Sequence, residues 1–255
     1  MAERPLLPRR TGDGSVTPIP DGWRFSIPAG PSGTYRLAQL DDYGRLPRRR
    51  LPWVPPLTLH LRARLSAPDL PGTWGFGLWN DPFGFSLGFG GTPGRLPALP
   101  QAAWFFSASP ESALALRDGI PSHGFFAGSF RSPGLPAVFL TPGLLAAPLL
   151  LLHPVSRLLR RLAGQVACQE GVDVSVDVTQ EHFYEIRWLR ESLRWEVDGR
   201  TLLQSDRPPL SPLGLVLWID NQYAAWRPDG TLGYGTLANP TAWLEITHLE
   251  MERIP

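Results

Sequence analysis

Two short segments of the chain are dense in planar rings, carboxylates and amides. One runs from Trp218 to Tyr223 and is followed by Trp226, and the other is Trp79-Asn80-Asp81. Carboxylate and amide oxygens accept hydrogen bonds from hydroxyl groups, and a tryptophan ring offers a flat apolar surface to the C–H face of a sugar ring. The predicted ligand contacts are therefore Trp79, Asn80, Asp81, Trp218, Asp220, Asn221, Tyr223 and Trp226.

Strand alternation predicts where these side chains point. Trp79 shares a strand face with Gly75 and Gly77, and Trp218 shares a face with Asp220. A face that carries glycines is either covered closely by another part of the protein or left open as the floor of a groove. The residues that would border such a groove are Trp79, Trp218, Asp220 and Asn221. The alternative is that Asp220 and Asn221 cap a turn while the tryptophans belong to the core.

Other kinds of chemistry find little support in the residue pattern. Cys168 is the only cysteine, and the five histidines are dispersed along the chain. The sequence contains no Gly-x-Ser-x-Gly segment, no phosphate-binding glycine loop and no His-x-x-x-His spacing. It therefore predicts neither a metal site nor a cofactor.

The composition favours a protein built from strands. Glycine (26 residues) and proline (29) together exceed a fifth of the 255 residues, and both interrupt helices. Strand-like runs recur throughout without the helices that separate parallel strands, and Thr73–Phe89 is predicted to form an aromatic hairpin. The predicted strands include Trp23–Ile27, Leu57–Leu65, Gln101–Ala108, Val172–Val178, Leu193–Val197 and Leu213–Ile219. The net charge of +1 gives no electrostatic reason to bind nucleic acid. An antiparallel sandwich or barrel of twelve to fourteen strands is predicted.

The ends and the middle of the chain differ from this pattern. Residues 1–20 are rich in proline, arginine and glycine, which predicts a flexible tail, and they include no apolar signal segment, which predicts a cytoplasmic protein unless an export signal has been removed. Residues 132–156 carry no charge, but prolines recur every six residues from Pro136 to Pro154, which argues against a transmembrane helix. We expect a helical, apolar insertion at 132–165, with an amphipathic helix over 155–165. Residues 144–165 are a candidate for peripheral membrane contact.

One region follows a recognisable order. The chain reads His182-Phe-Tyr-Glu-Ile-Arg-Trp188, then Leu193-Arg-Trp-Glu-Val-Asp-Gly199, then Pro208-Pro-Leu-Ser-Pro-Leu-Gly-Leu-Val-Leu-Trp218. This series resembles the strand signatures of concanavalin A-like jelly rolls, and most closely those of glycoside hydrolase family 16, the laminarinases and lichenases. The resemblance implies an all-β, concanavalin A-like antiparallel β-sandwich over residues 21–255, a single domain with a short helical insertion.

The chain departs from that family where catalysis is concerned. The family carries Glu-x-Asp-x-x-Glu on one strand, whose alternation places a nucleophile and an acid/base on the same concave face. No such motif occurs here, and the segment expected to hold it, Gln101–Ala108, reads Gln-Ala-Ala-Trp-Phe-Phe-Ser-Ala. The remaining carboxylates that could act as catalysts are Asp81, Glu185 and Asp220.

The resemblance and the missing motif together favour a non-catalytic protein that binds carbohydrate. A glycoside hydrolase that uses carboxylates outside the family motif is the alternative if the protein is an enzyme. A binder of an apolar ligand or a membrane surface is a further alternative, suggested by the apolar segment at 132–165 and the aromatic run at 73–89.

Overall fold

The strands follow the alternation of apolar and polar residues along the chain. The computed structural model describes residues 5–82, 95–136, 140 and 147–254, and this part contains sixteen strands. Their bounds are β1 Leu7–Thr11, β2 Ser15–Ile19, β3 Gly22–Ile27, β4 Leu37–Asp41, β5 Leu57–Leu65, β6 Thr73–Trp79, β7 Ala102–Ala108, β8 Gly124–Arg131, β9 Cys168–Asp173, β10 His182–Trp188, β11 Leu193–Val197, β12 Arg200–Ser205, β13 Gly214–Asp220, β14 Gln222–Trp226, β15 Leu232–Thr236 and β16 Ala242–Arg253.

Fourteen of these strands form two stacked antiparallel sheets. The first sheet has the order β1-β4-β13-β6-β7-β8-β9, and the second has the order β12-β11-β10-β5-β16-β3-β2. Strands β14 and β15 pair with each other as a separate hairpin directly after β13. Six of the twelve neighbouring pairs in the two sheets are not consecutive in the chain, which therefore crosses repeatedly between the layers. This arrangement confirms the predicted β-sandwich.

The main core lies between the facing surfaces of the two sheets. Strand β5 shows how the sequence builds it, because its alternate residues Leu57, Leu59, Leu61, Ala63 and Leu65 are all buried there. Large rings fill the remaining space, and the largest fully enclosed ones are Trp74, Trp188, Trp195, Tyr184, Phe25, Phe76 and Phe105. Strand alternation therefore commits one face of each sheet to the core.

Turn chemistry fixes the register next to this core. Asp198 and Gly199 join β11 to β12, and both residues have positive φ angles, 51° and 77°. Two consecutive positive φ angles define the hairpin turn that Asp-Gly favours. The Asp198 carboxylate also accepts the Phe183 backbone N–H (2.9 Å) and contacts His182 Nδ1 (2.7 Å), so this histidine supports the turn.

The outer face of the first sheet carries a second layer of rings. Its main members are Trp79, Trp104, Phe106, Phe126 and Trp218. The strand face that bears Gly75 and Gly77 is therefore not bare, because neighbouring rings occupy the space beside the glycines. A Cβ on Gly75 would lie 2.7 Å from the Trp218 ring, and a Cβ on Gly77 would lie 2.6 Å from Trp104 Cβ. Of the two explanations for the glycine face, close covering is the one that the structure adopts.

Several local expectations need correction. The predicted tail over residues 1–20 contains β1 and β2, which form edge strands of the first and second sheet through pairing with β4 and β3. The run 172–178 is mostly a loop, since β9 ends at Asp173. Val174, Val176 and Val178 pack against the core from the loop that follows this strand. The second half of the predicted aromatic hairpin, residues 83–89, lies outside the described residues.

The apolar insertion contains the one α-helix of the described residues. This helix, α1, spans His153–Val166 and follows a 3-10 turn at Ala147–Leu151. It begins two residues before the predicted helix and ends one residue after it. None of the helices in the described ranges has the length and apolar character needed to cross a membrane.

We predict that Gly77→Ala destabilises the protein strongly. The residue has a φ of +154°, and an added Cβ would lie 2.5 Å from the Ala103 carbonyl oxygen, which belongs to the paired backbone of β7. Overpacking of this kind costs about 1–3 kcal/mol or more, which urea denaturation would measure. Gly134→Ala is the matched control, since its nearest neighbour would be the Leu210 side chain at 3.4 Å. Equal stability of the two variants would contradict the close packing of the outer face.

Candidate functional site

Asp220 lies where three segments meet at the end of β13. One carboxylate oxygen accepts hydrogen bonds from the Thr73 backbone N–H (3.2 Å), the Thr73 hydroxyl (2.8 Å) and the Gln222 backbone N–H (3.1 Å). The other oxygen accepts the Tyr35 hydroxyl at 3.1 Å. The side chain is buried, so its oxygens are satisfied within the protein.

Burial also changes the acidity of this group. Desolvation raises the pKa of Asp220 to about 6, although the hydrogen bonds from Gln222, Thr73 and Tyr35 act in the opposite direction. Desolvation likewise raises the pKa of the Tyr35 hydroxyl well above its ordinary value, with the charge of Asp220 adding to the effect. The pair therefore favours a protonated tyrosine as a donor to the carboxylate.

The neighbouring predicted residues are enclosed as well. Trp218 is 8% exposed and donates its indole N–H to the Thr73 hydroxyl at 2.9 Å. Asn221 is fully buried, accepts the Arg36 backbone N–H and donates to the carbonyls of Thr34 and Leu237. Trp218 and Asp220 do share the outer face with Trp79, as alternation predicts, and the polar atoms of Trp218 and Asp220 are hydrogen-bonded to protein atoms.

The segment Trp79-Asn80-Asp81 forms a second enclosed cluster. Asn80 links the end of β6 to the segment before β7. It donates to the Leu99 carbonyl (2.9 Å) and accepts the Gln101 N–H (3.0 Å). Asp81 has a positive φ of 49° and is completely buried, with Arg95 Nη1 at 2.9 Å from its carboxylate. Trp79 packs edge-on against Tyr43. These contacts give the three residues structural roles in a sharp bend.

Glu185 is separated from the other two candidate carboxylates. It lies on β10 in the second sheet, whereas Asp220 ends β13 of the first sheet and Asp81 follows β6 of that sheet. Its carboxylate lies 3.2 Å from Arg187 Nη2 and 3.7 Å from His60 Nδ1. The structure therefore does not bring Glu185 together with Asp81 or Asp220.

The described part of the chain includes an open cleft with aromatic and polar walls. It lies between the 32–35 loop and the β14–β15 hairpin, beside Asp220, and has a volume of about 480 Å³, within the range of small-molecule sites. Its lining residues are Ser32, Gly33, Tyr35, Gln222, Tyr223, Tyr234, Gly235 and Thr236. Of the predicted ligand contacts, Tyr223 alone lines this cleft. The volume and lining make this cleft, which we call the tyrosine cleft, the candidate site.

Local sequence explains how the cleft holds its shape. Tyr223 pairs across the hairpin with Gly235, and a Cβ on Gly235 would lie 3.0 Å from the Tyr223 ring. The glycine thus lets the ring lie close against the opposite strand. Across the cleft, the Thr236 hydroxyl accepts the Gly33 backbone N–H at 2.9 Å, and Tyr35 is held by Asp220. Both walls are therefore tied to the sandwich.

Trp226, the last predicted contact, faces elsewhere. Its indole N–H donates to the Ser156 hydroxyl at 2.9 Å, and its carbonyl accepts Arg160 Nε at 2.9 Å. The residue therefore attaches α1 to the hairpin. Sequence reasoning missed Tyr35 and Tyr234, although the alternation in Leu232-Gly-Tyr-Gly-Thr236 was a strand signal next to the predicted segment. Within the described ranges, no cluster of three or more histidine, cysteine or acidic side chains is arranged to hold a metal ion.

Comparison with solved structures places the sandwich among known folds. The laminarinase catalytic domain from Thermotoga maritima superposes with a TM-score of 0.52 at 12% sequence identity, over 96% of this chain and 82% of that one. A legume lectin-like domain from Entamoeba histolytica matches with a TM-score of 0.48 at 11% identity, over 95% and 88%. A family 16 protein from Bacteroides ovatus, in complex with a glucan product, matches at 0.47 and 9%, over 93% and 84%.

These similarities concern the fold. The laminarinase superposition covers both sheets and confirms the concanavalin A-like sandwich that residues 172–220 predict. No protein-family model matches the sequence, and no curated protein matches it. The comparison therefore establishes the jelly-roll fold of this chain.

We predict that stability falls as pH rises from about 4 to 6.5. The pKa of Asp220 is about 6 in the folded protein and about 3.9 in an unfolded chain, so the folded state binds the proton more tightly. Stability is then full below the unfolded pKa and decreases by about 2–3 kcal/mol through this window. Asp42, whose pKa burial also raises to about 6, adds a similar slope.

Asp220→Asn separates the two contributions. The amide keeps an oxygen for Thr73 and Gln222 but cannot ionise, so the variant should lose about half of the pH slope in urea unfolding. Asp42→Asn is the matched comparison and should remove the other half. An unchanged slope in Asp220→Asn would show that this carboxyl has an ordinary pKa.

Proposed function

We propose that the protein is a non-catalytic, carbohydrate-binding jelly roll and that the tyrosine cleft holds the glycan. The observation that carries the proposal is the cleft itself. It combines the rings of Tyr35 and Tyr223 with the polar groups of Ser32, Gln222 and Thr236. Aromatic rings stack on the C–H faces of sugars, while hydroxyl and amide groups fix the orientation of the sugar hydroxyls.

The fold supports a carbohydrate ligand. The superposed Thermotoga structure is the catalytic domain of a laminarinase, and the cleft lies next to Asp220 at the end of β13. The cleft is also rigid, because Tyr35 is hydrogen-bonded to a buried carboxylate and Tyr223 rests on Gly235. A preorganised aromatic wall loses little conformational entropy on binding.

The outer face of β7 supports a non-catalytic role. Retaining hydrolysis needs two carboxyl groups about 5–5.5 Å apart. The outward positions of β7 hold Ala102, Trp104, Phe106 and Ala108. Asp220 and Asp81 are satisfied inside the protein, and Glu185 belongs to the other sheet. No pair of candidate carboxylates therefore faces the cleft.

We predict that Tyr223→Ala weakens oligosaccharide binding at least tenfold, since about 1.4 kcal/mol of stacking energy would be lost. A glycan array would first identify the ligand, and titration calorimetry would then measure the affinity. Tyr223→Phe should bind within about threefold of the wild type, because the ring remains. Trp243→Ala serves as the control, since this ring lies against Arg24 on the second sheet. Equal affinity of Tyr223→Ala and the wild type would exclude this cleft as the glycan site.

A reducing-sugar assay on laminarin and mixed-linkage glucan tests the non-catalytic part of the proposal. We expect no release of reducing ends above the buffer control. Release that disappears in Asp220→Asn or Asp81→Asn, with the variant still folded by circular dichroism, would establish the hydrolase alternative. Binding data and hydrolysis data thus test separate halves of the proposal.

A further inference from the structure

Helix α1 attaches to the domain through its polar side. Its buried residues, Ser156, Arg160 and Gly164, are spaced four apart and therefore form one stripe. The Ser156 hydroxyl accepts the Trp226 indole N–H at 2.9 Å, and the Arg160 guanidinium donates to the carbonyls of Trp226 (2.9 Å) and Ala115 (2.7 Å). The close approach at Gly164 is required, because a Cβ there would lie 2.8 Å from the Leu116 carbonyl oxygen.

The apolar side of the same helix faces solvent. Leu158 is 56% exposed and Leu162 is 45% exposed, and Leu151 in the preceding 3-10 turn is 78% exposed. The full set of large apolar side chains exposed along this element is Leu149, Leu151, Leu152, Leu158, Leu159, Leu162 and Val166. This orientation is the reverse of the usual one, in which a surface helix turns its apolar stripe toward the core. The polar anchors hold the leucines outward.

Charge indicates what covers this surface. Arg157 and Arg161 are both exposed, but their places on the helix differ. At about 100° per residue, Arg161 borders the leucine stripe, whereas Arg157 lies next to the buried side and donates to the Asp229 carbonyl at 3.3 Å. The sequence has no acidic residue between Asp118 and Glu170. An apolar stripe bordered by an arginine matches a bilayer with anionic head groups, since the leucines enter the acyl boundary while the guanidinium group meets the phosphates.

The size of the surface argues against a second copy as the occupant. Fourteen residues form a helix about 21 Å long and about 10 Å wide, and the five-residue 3-10 turn adds about 10 Å, so one face of the whole element offers roughly 300 Å². A stable protein–protein interface buries about 800 Å² on each partner. An interfacial helix, in contrast, binds a bilayer with one face alone.

We propose that α1 and the turn before it form a peripheral membrane-binding surface that recognises anionic phospholipid bilayers. None of the residues that line the cleft belongs to this surface, so substitutions in the two places can be tested separately. The leucine stripe supplies the apolar contact, and Arg161 supplies the preference for negative charge.

Vesicle co-sedimentation of the full chain tests the proposal. We expect binding to phosphatidylcholine vesicles that contain about 30% phosphatidylglycerol, at least about tenfold weaker binding to phosphatidylcholine alone, and weakening in about 0.5 M NaCl. The double variant Leu158→Gln/Leu162→Gln should bind at least about tenfold more weakly, and Arg161→Gln severalfold more weakly. Leu135→Gln and Arg49→Gln are the matched controls, because both residues are exposed outside the helix.

The outcomes that overturn the proposal are distinct. Circular dichroism first establishes that each variant is folded, which the exposure of the altered side chains favours. Failure of the folded wild type to sediment with anionic vesicles would exclude the surface as a membrane site. Equal losses in Leu135→Gln and in the double leucine variant would also exclude it. A wild-type dimer in analytical ultracentrifugation that the double variant dissociates, without vesicle binding, would identify the stripe as an interface between copies.

Discussion

The buried carboxylate of Asp220 is the contact on which the candidate site depends. It ends β13, holds Thr73 at the start of β6, caps the first residue of β14 and fixes the hydroxyl of Tyr35. Burying a carboxyl group without partners would cost several kcal/mol, and four hydrogen bonds offset that cost. One buried side chain therefore fixes both the position of Tyr35 in the cleft wall and the point at which the β14–β15 hairpin begins.

The layer of rings on the outer face of the first sheet fills the space that a substrate channel would need. Glycines in β6 make room for Trp218 and Trp104 beside them, and these rings contact Phe106 with centroid separations of 5.2 and 5.1 Å. Such packing excludes water from the middle of the face and stiffens it. Polar groups and rings that solvent can reach are instead found at the end of the sheet, where they line the cleft.

Alternation and turn signals predicted the fold well. Strands β5 and β11 match their predicted bounds to the residue, because Leu57–Leu65 alternates strictly and Asp198-Gly199 fixes the end of Leu193–Val197. The N-terminal strands were missed because their prolines and arginines resemble a tail, and because β1 pairs with β4 and not with the strand that follows it in the chain.

The site was harder to predict from the sequence. Parity correctly placed Trp79, Trp218 and Asp220 on one face, but it does not reveal which side chains cover that face. The cleft joins Tyr35 to Tyr223, which are far apart in sequence, and such a meeting follows from topology alone. In the sequence, polar residues such as Asn221 and Asp81 resemble ligand contacts. In the structure, they stabilise the backbone next to the ends of strands.

The two N-terminal strands also determine how the sandwich meets its surroundings. Each forms one border of a sheet, and each contains a proline, Pro8 in β1 and Pro18 in β2. Proline removes a backbone donor from the free edge, and the charged Arg9 and Arg10 beside Pro8 disfavour the approach of another strand. The segment whose composition resembles a dispensable tail thus protects one edge of each sheet against edge-to-edge association. Its removal would uncover the unpaired backbone of β4 and β3 and favour aggregation.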